Sequence, residues 1–213
     1  MAKGPEYIDP RIRRTRKLLQ QAFFELVKER AFDAITVQDI AERATLNRAT
    51  FYMHFVDKFA LLNYTIGELF LENLNARLGE NPPCKLRALI LTTCEFLKKA
   101  NEYSTGCNQF APLLESKVKN LIRETLYVEL KSRNPKKSRT DADLGLAATV
   151  ASWAIFGAAL EWSRSERAAN AEAFTEQVIP LILASLEISS GGTCGKGSKP
   201  VSPSRNTAAS TRT

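Results

Sequence analysis

A single histidine, His54, among 213 residues rules out a multi-histidine metal site and leaves little for acid–base catalysis. The four cysteines (Cys84, Cys94, Cys107, Cys194) lie far apart with no CxxC pair, which argues against a zinc site and a disulfide framework. They read most simply as small apolar residues, and neither Cys94 nor Cys107 has an adjacent Lys, Arg or His to lower a thiol pKa for redox sensing. Paired carboxylates, a Ser/His/Asp set and a Gly-rich phosphate loop are also missing, so nothing suggests an enzyme, a cofactor or a metal. No apolar stretch reads as approaching the roughly 18 residues that cross a bilayer. The first residues, MAKGPEYIDP, lack the apolar segment of a signal peptide, so a cytoplasmic protein with no membrane partner is expected. Alternating apolar and polar residues, the mark of strands, compete nowhere along the chain.

What is present is positive charge and helical periodicity. The formal net charge is +7, which suits a polyanionic partner without identifying it. Six cations (Lys3, Arg11, Arg13, Arg14, Arg16, Lys17) crowd the first 20 residues. A second basic run, Lys131 to Arg139, reads as a solvated loop, and the Gly/Ser/Thr/Pro-rich stretch from Ser189 onward as a disordered tail.

The periodicity predicts a first helix from Arg14 to Arg30, with Leu18, Ala22, Phe23, Leu26 and Val27 forming its apolar face. Phe32-Asp33 breaks it. Thr36, with Asp39 three residues on, opens a short helix from Val37 to Ala44. A tight turn, Thr45-Leu46-Asn47, precedes another short helix, Arg48 to Phe55, and Asp57 caps a long helix to about Leu78. Asn81-Pro82-Pro83 and Thr105-Gly106 punctuate two more, ending near Glu102 and Arg133. Two final helices span Leu144 to Trp162, after Asp141, and 171 to 187, where Pro180 predicts a kink or an early first turn. The fold class is all-α: an N-terminal three-helix helix-turn-helix domain (1–56) followed by a larger helical domain (57–188) and the tail (189–213).

Residues 36–58 carry the chemistry. In TVQDIAERATLNRATFYMHF, Ile40 and Ala41 face inward, Ala41 is small enough for close helix approach, and Leu46 plugs the turn. Phe51 and Phe55, four apart, anchor the second helix, which leaves Asn47, Arg48, Thr50, Tyr52 and His54 to point outward. Arginine can bond guanine O6/N7 and asparagine adenine N6/N7, while hydroxyls and imidazole suit phosphate oxygens.

Residues 37–62 resemble the DNA-binding signature of TetR-family repressors in three blocks. These are Val37, Ile40 and Ala41; then Thr50-Phe51-Tyr52-Met53-His54-Phe55; then Lys58, Leu61 and Leu62. Thr45 departs from the glycine usual in that turn, a position where a β-branched residue is disfavoured at positive φ. The resemblance implies base contacts from Gln38, Arg48, Ala49 and Tyr52, and phosphate contacts from Thr50, Tyr52, His54 and Lys58. It also implies an N-terminal arm over Arg11 to Lys17, with Arg13 and Arg14, reaching the minor groove.

By the same resemblance, the last two helices form a homodimer element, for which Val150, Gly157, Leu160, Val178 and Ile182 are the candidates. A pocket for a small apolar or amphipathic effector is implied among Leu69, Phe70, Cys94, Phe96, Leu97, Tyr103, Phe110, Leu114, Trp153 and Phe156. The expected protein is a homodimeric regulator, a repressor on a pseudo-palindromic duplex DNA operator, released when ligand spoils the spacing of its recognition helices. The competing reading is a helical small-ligand-binding or enzymatic bundle in which the helix-turn-helix is only structural.

Overall fold

The computed structural model describes residues 9–79, 85–103, 110–134, 138–165 and 170–188. Among them run α1 (Pro10–Glu29), a 3-10 turn (Phe32–Ala34), α2 (Val37–Arg43), α3 (Arg48–His54), α4 (Lys58–Leu78), α5 (Lys85–Tyr103), α6 (Phe110–Ser132), α7 (Asp141–Arg164) and α8 (Ala171–Ile188). The tail from Ser189, the Asn81-Pro82-Pro83 and Thr105-Gly106 breaks, and the Tyr103 side chain lie outside the described residues.

Local chemistry fixes most helix starts. Thr36 and Asp39 close a reciprocal capping box, each side chain bonding the other's backbone amide, at 3.1 and 2.8 Å. Thr140 and Asp143 repeat the device at α7, so Thr140 is the cap of the helix that Asp141 begins. Asp57 caps α4 through the Ala60 amide at 2.7 Å. Pro112 is accommodated in the first turn of α6, whereas Pro180 lies inside α8.

The start of α1 corrects the sequence reading. Asp9 accepts a bond from the Arg11 amide at 2.8 Å and Pro10 occupies the first turn, so the helix begins four residues before Arg14. Arg11, Arg13 and Arg14 are therefore helical and exposed, not an extended arm. The buried stripe of α1 is Leu19, Ala22, Phe23 and Leu26, spaced three and four apart, while Leu18 is 40% exposed.

The three N-terminal helices close around Phe23, Leu26, Ile40 and Phe51, and the exposed pair Arg43–Glu29 (2.7 Å) ties α2 to the end of α1. Helix α4 leads from this unit into the body, packing on α5 and α6. Helix α7 is the body's central strut, set against α5, α6 and α8. It is also long and apolar enough, by length and composition, to cross a membrane, contrary to the sequence reading. Its burial along Leu144, Ala148, Ala151, Ile155 and Ala159 accounts for that composition as core packing.

Candidate nucleic-acid interface

The turn between α2 and α3 is a Schellman closure. The Leu46 amide bonds the Ala41 carbonyl at 2.8 Å and the Thr45 amide bonds that of Glu42 at 2.9 Å. Thr45 sits at φ +56°, the left-handed conformation that this closure requires and that glycine usually supplies. The threonine thus adopts the glycine geometry. Asn47 then caps α3, its Oδ1 accepting from the Ala49 amide at 2.8 Å.

Helix α3 presents two distinct faces. Phe51 is fully buried and Phe55 nearly so, with ring centroids 5.9 Å apart, while Tyr52 is 46% exposed and Met53 81% exposed. Arg48 and Ala49 are also exposed. The Arg48 guanidinium lies 5.5 Å from the Tyr52 ring centre and donates to the Tyr52 hydroxyl at 3.1 Å, which holds both side chains on the open face. Met53 was absent from the sequence-based set of contacts. It follows Ala49 by four residues on the same helix, so the two form an exposed apolar pair of the kind that packs on a thymine methyl group. Gln38 is exposed on α2, where its amide donates to Glu42.

Three expected contacts look different in the structure. Thr50 and His54 are half-buried. Burial, then the nearby Arg16 charge, holds the His54 pKa below the usual histidine value, so the imidazole is neutral near pH 7 in the free protein. Lys58, expected on a phosphate, turns inward. Its ammonium donates to the carbonyls of Phe32 (3.0 Å), Asp33 (3.1 Å) and Ile35 (2.8 Å) and sits 4.6 Å from the Phe32 ring centre. Three donors meet three acceptors there, which leaves no N–H for DNA.

A second site lies between this unit and the body. A cavity of about 330 Å³ is walled by Phe23, Phe24 and Val27 of α1, by Leu62 to Asn73 of α4, by Phe96, Lys99 and Ala100 of α5, and by Phe110 and Leu114 of α6. Of the sequence candidates, Leu69, Phe96, Phe110 and Leu114 line it. Cys94, Leu97 and Phe70 instead fill the solid core, and burial pushes the Cys94 thiol up to about 12. Phe156 is also core, and Trp153 stands 59% exposed beneath the Lys119 ammonium, so neither belongs to the wall. The sequence reading missed the α1 residues, whose approach to α4, α5 and α6 depends on tertiary packing that no local spacing reveals.

The dimer candidates are also redistributed. Val178 and Ile182 are buried inside the protomer's own core and have no surface to offer a partner. Val150 and Gly157 remain exposed, and with Leu146 and Trp153 they line one face of α7 at four- and three-residue steps; Leu181 of α8 is exposed as well.

A short capped helix with its aromatic side buried and its Arg/Tyr side open, on a three-helix unit attached to a helical body, is the geometry of a helix-turn-helix. Residues 19–65 match the signature of "Bacterial regulatory proteins, tetR family". That stretch, from α1 to the start of α4, is what the chain shares with the family's DNA-binding segment. The chain is 42% identical over 60 residues to the HTH-type transcriptional regulator YxbF of Bacillus subtilis (strain 168), covering 28% of this chain and 16% of that one. It is 34% identical over 61 residues to the HTH-type dhaKLM operon transcriptional activator DhaS of Lactococcus lactis, covering 29% and 33%. The chain thus spans a third or less of these curated relatives. The fold is shared more widely: Thermus thermophilus FadR, a TetR-family transcriptional repressor solved with lauroyl-CoA, superposes with a TM-score of 0.52 at 21% identity, over 86% of this chain and 100% of that one.

Proposed function

We propose that the chain is a sequence-specific transcriptional repressor that binds a pseudo-palindromic operator as a homodimer and is released by a small apolar or amphipathic effector. The observation that carries this reading is the open face of α3, where Arg48, Ala49, Tyr52 and Met53 stand exposed on a helix whose Phe51 anchor is wholly buried. Arg48 and Tyr52, with Gln38 from α2 and Asn47 at the turn, read base edges. Thr50 and His54 meet phosphates, and Arg11, Arg13 and Arg14 supply the positive field along α1.

The partner in the homodimer packs on the α7 row Leu146, Val150, Trp153 and Gly157, which would otherwise leave a stripe of large apolar side chains in water. A two-fold pair places two α3 helices on successive half-sites. The effector occupies the 330 Å³ cavity, the volume of roughly eleven waters at ~30 Å³ each and near the small end of ligand pockets. Its wall joins α1 to α5 and α6, so a bound molecule would bias how the DNA-binding unit is held on the body.

Duplexes selected from a random pool by the full chain should share two related half-sites and bind with affinity that drops steeply as salt rises. Weak binding without sequence preference would instead favour the helical-bundle reading. DhaS is an activator, which favours a second reading of the same contact. A promoter carrying the selected operator should fall silent in the presence of the chain; increased output would support activation.

A further inference from the structure

We propose that Lys58 is a positioning residue of the DNA interface: its ammonium clips the turn ahead of α2 to the first turn of α4, and it contacts no phosphate. This assignment rests on the DNA-binding reading only for its consequence, since the clip itself is a property of the free protein. Lys58 opens α4, and the three carbonyls that it binds span residues 32–35, from the 3-10 turn to the residue before the α2 cap. The cluster is partly buried, and the Phe32 and Phe59 rings lie 4.6 and 5.7 Å from the ammonium. To reach a phosphate, the lysine would have to leave all three acceptors and the Phe32 ring, and the part-buried Ile35 carbonyl would lose its 2.8 Å bond, while the Phe32 carbonyl keeps that from the Ile35 amide.

The bonds fall where they matter for recognition. Ile35 directly precedes Thr36, whose capping box sets where α2 begins, and α2 carries Gln38 and packs on α3. On the other side, Leu62, Ile66 and Leu69 of the same helix α4 wall the cavity. One ammonium therefore fixes the start of α2 against the helix that borders the effector site. Only a compact point cation with three divergent donors fits three carbonyls converging from one turn; a planar guanidinium presents its donors in a flat fork.

The test uses the full chain with Lys58→Met, which keeps the aliphatic stem over Phe32, and Lys58→Arg, which keeps the charge. Amide hydrogen exchange is measured at Thr36, Asp39 and Ile40, together with the salt dependence of binding to a duplex selected by the wild-type chain. Both variants should exchange at least about tenfold faster at these amides, as expected when charge-assisted bonds are lost, with an unchanged slope of log K against log[salt]. A phosphate contact predicts the opposite: unaltered exchange, a slope reduced by roughly 0.9 per contact in Lys58→Met, and restoration by Lys58→Arg. That pattern overturns the assignment. If Lys58→Met fails to fold, Lys58→Arg alone decides by exchange: faster exchange supports the clip, and wild-type exchange overturns it. If no duplex is selected at all, the DNA-binding reading fails, while the exchange measurement still decides the clip.

Discussion

Replacing Thr45 by glycine should stabilise the protein, because the residue already adopts a glycine conformation. The left-handed region costs an L-residue about 1–2 kcal/mol, and a β-branched side chain lies toward the upper end of that range. Thr45 holds it at φ +56° because the Schellman bonds from its own amide to Glu42 and from Leu46 to Ala41 close the end of α2. Its side chain is exposed, so little packing is lost on removal. Against the relief stands the greater freedom of glycine in the unfolded chain, about 0.5–1 kcal/mol. The net gain is therefore about 0.5–1 kcal/mol, and at roughly 2–4 °C per kcal/mol for a chain of this size the melting temperature should rise by about 1–4 °C. Thr45→Ala, which keeps a Cβ at positive φ, should recover less of it. Thermal unfolding followed by circular dichroism at fixed protein concentration reads both variants. A lower melting temperature for Thr45→Gly, or a larger gain for alanine than for glycine, would refute the strain argument.

Three further outcomes follow from the site and its supports. Arg48→Ala should cost about 1–3 kcal/mol on the selected operator and relax preference at one base pair, read by competition with single-base variants; a uniform loss across all sequences would mark Arg48 as a phosphate contact. Trp153→Glu places a charge in the middle of the exposed α7 row and should convert the proposed dimer to a monomer in sedimentation, with helicity retained. Hydrogen bonds from the Thr36 side chain and then its backbone hold the Asp39 carboxyl below the usual aspartate value. Its contribution is therefore present above about pH 4, the unfolded aspartate range, and is lost as pH falls through the lower folded value. Asp39→Asn should thus melt lower than wild type at pH 7, with the gap closing toward pH 3; a gap independent of pH would show that the box acts without its charge.

Features written in neighbouring residues were legible in the sequence. The Thr36/Asp39 box, the Asp57 cap, the two faces of α3 set by Phe51 and Phe55, and the end of α4 at Leu78 all depend on partners within one or two turns. The Asp9-Pro10 cap is equally local, but the cluster of cations after it suggested an arm and hid the start of α1. What escaped depends on distant packing. Lys58 finds its acceptors 23 to 26 residues back along the chain, across two helices, and no spacing rule points there. Helix α7 is apolar nearly all round, so its sequence carries no phase to tell the faces on α5, α6 and α8 from the open Leu146–Gly157 row. The same ambiguity put Val178 and Ile182 on the outside and Trp153 in the cavity. The candidate pocket was assembled only from helices of the larger domain, whereas α1 closes it with Phe23, Phe24 and Val27.

DNA recognition by the open face of α3 is tested most directly by one titration. Fluorescence anisotropy of a labelled duplex, selected by the wild-type chain, is compared for wild type and Tyr52→Ala at several salt concentrations, with circular dichroism confirming that the variant is folded. Loss of the ring and hydroxyl that hold Arg48 should weaken binding by about tenfold or more, the lower end of the 1–3 kcal/mol expected for a base-reading pair. Equal affinity of a folded Tyr52→Ala for the operator would contradict the claim that this face reads DNA.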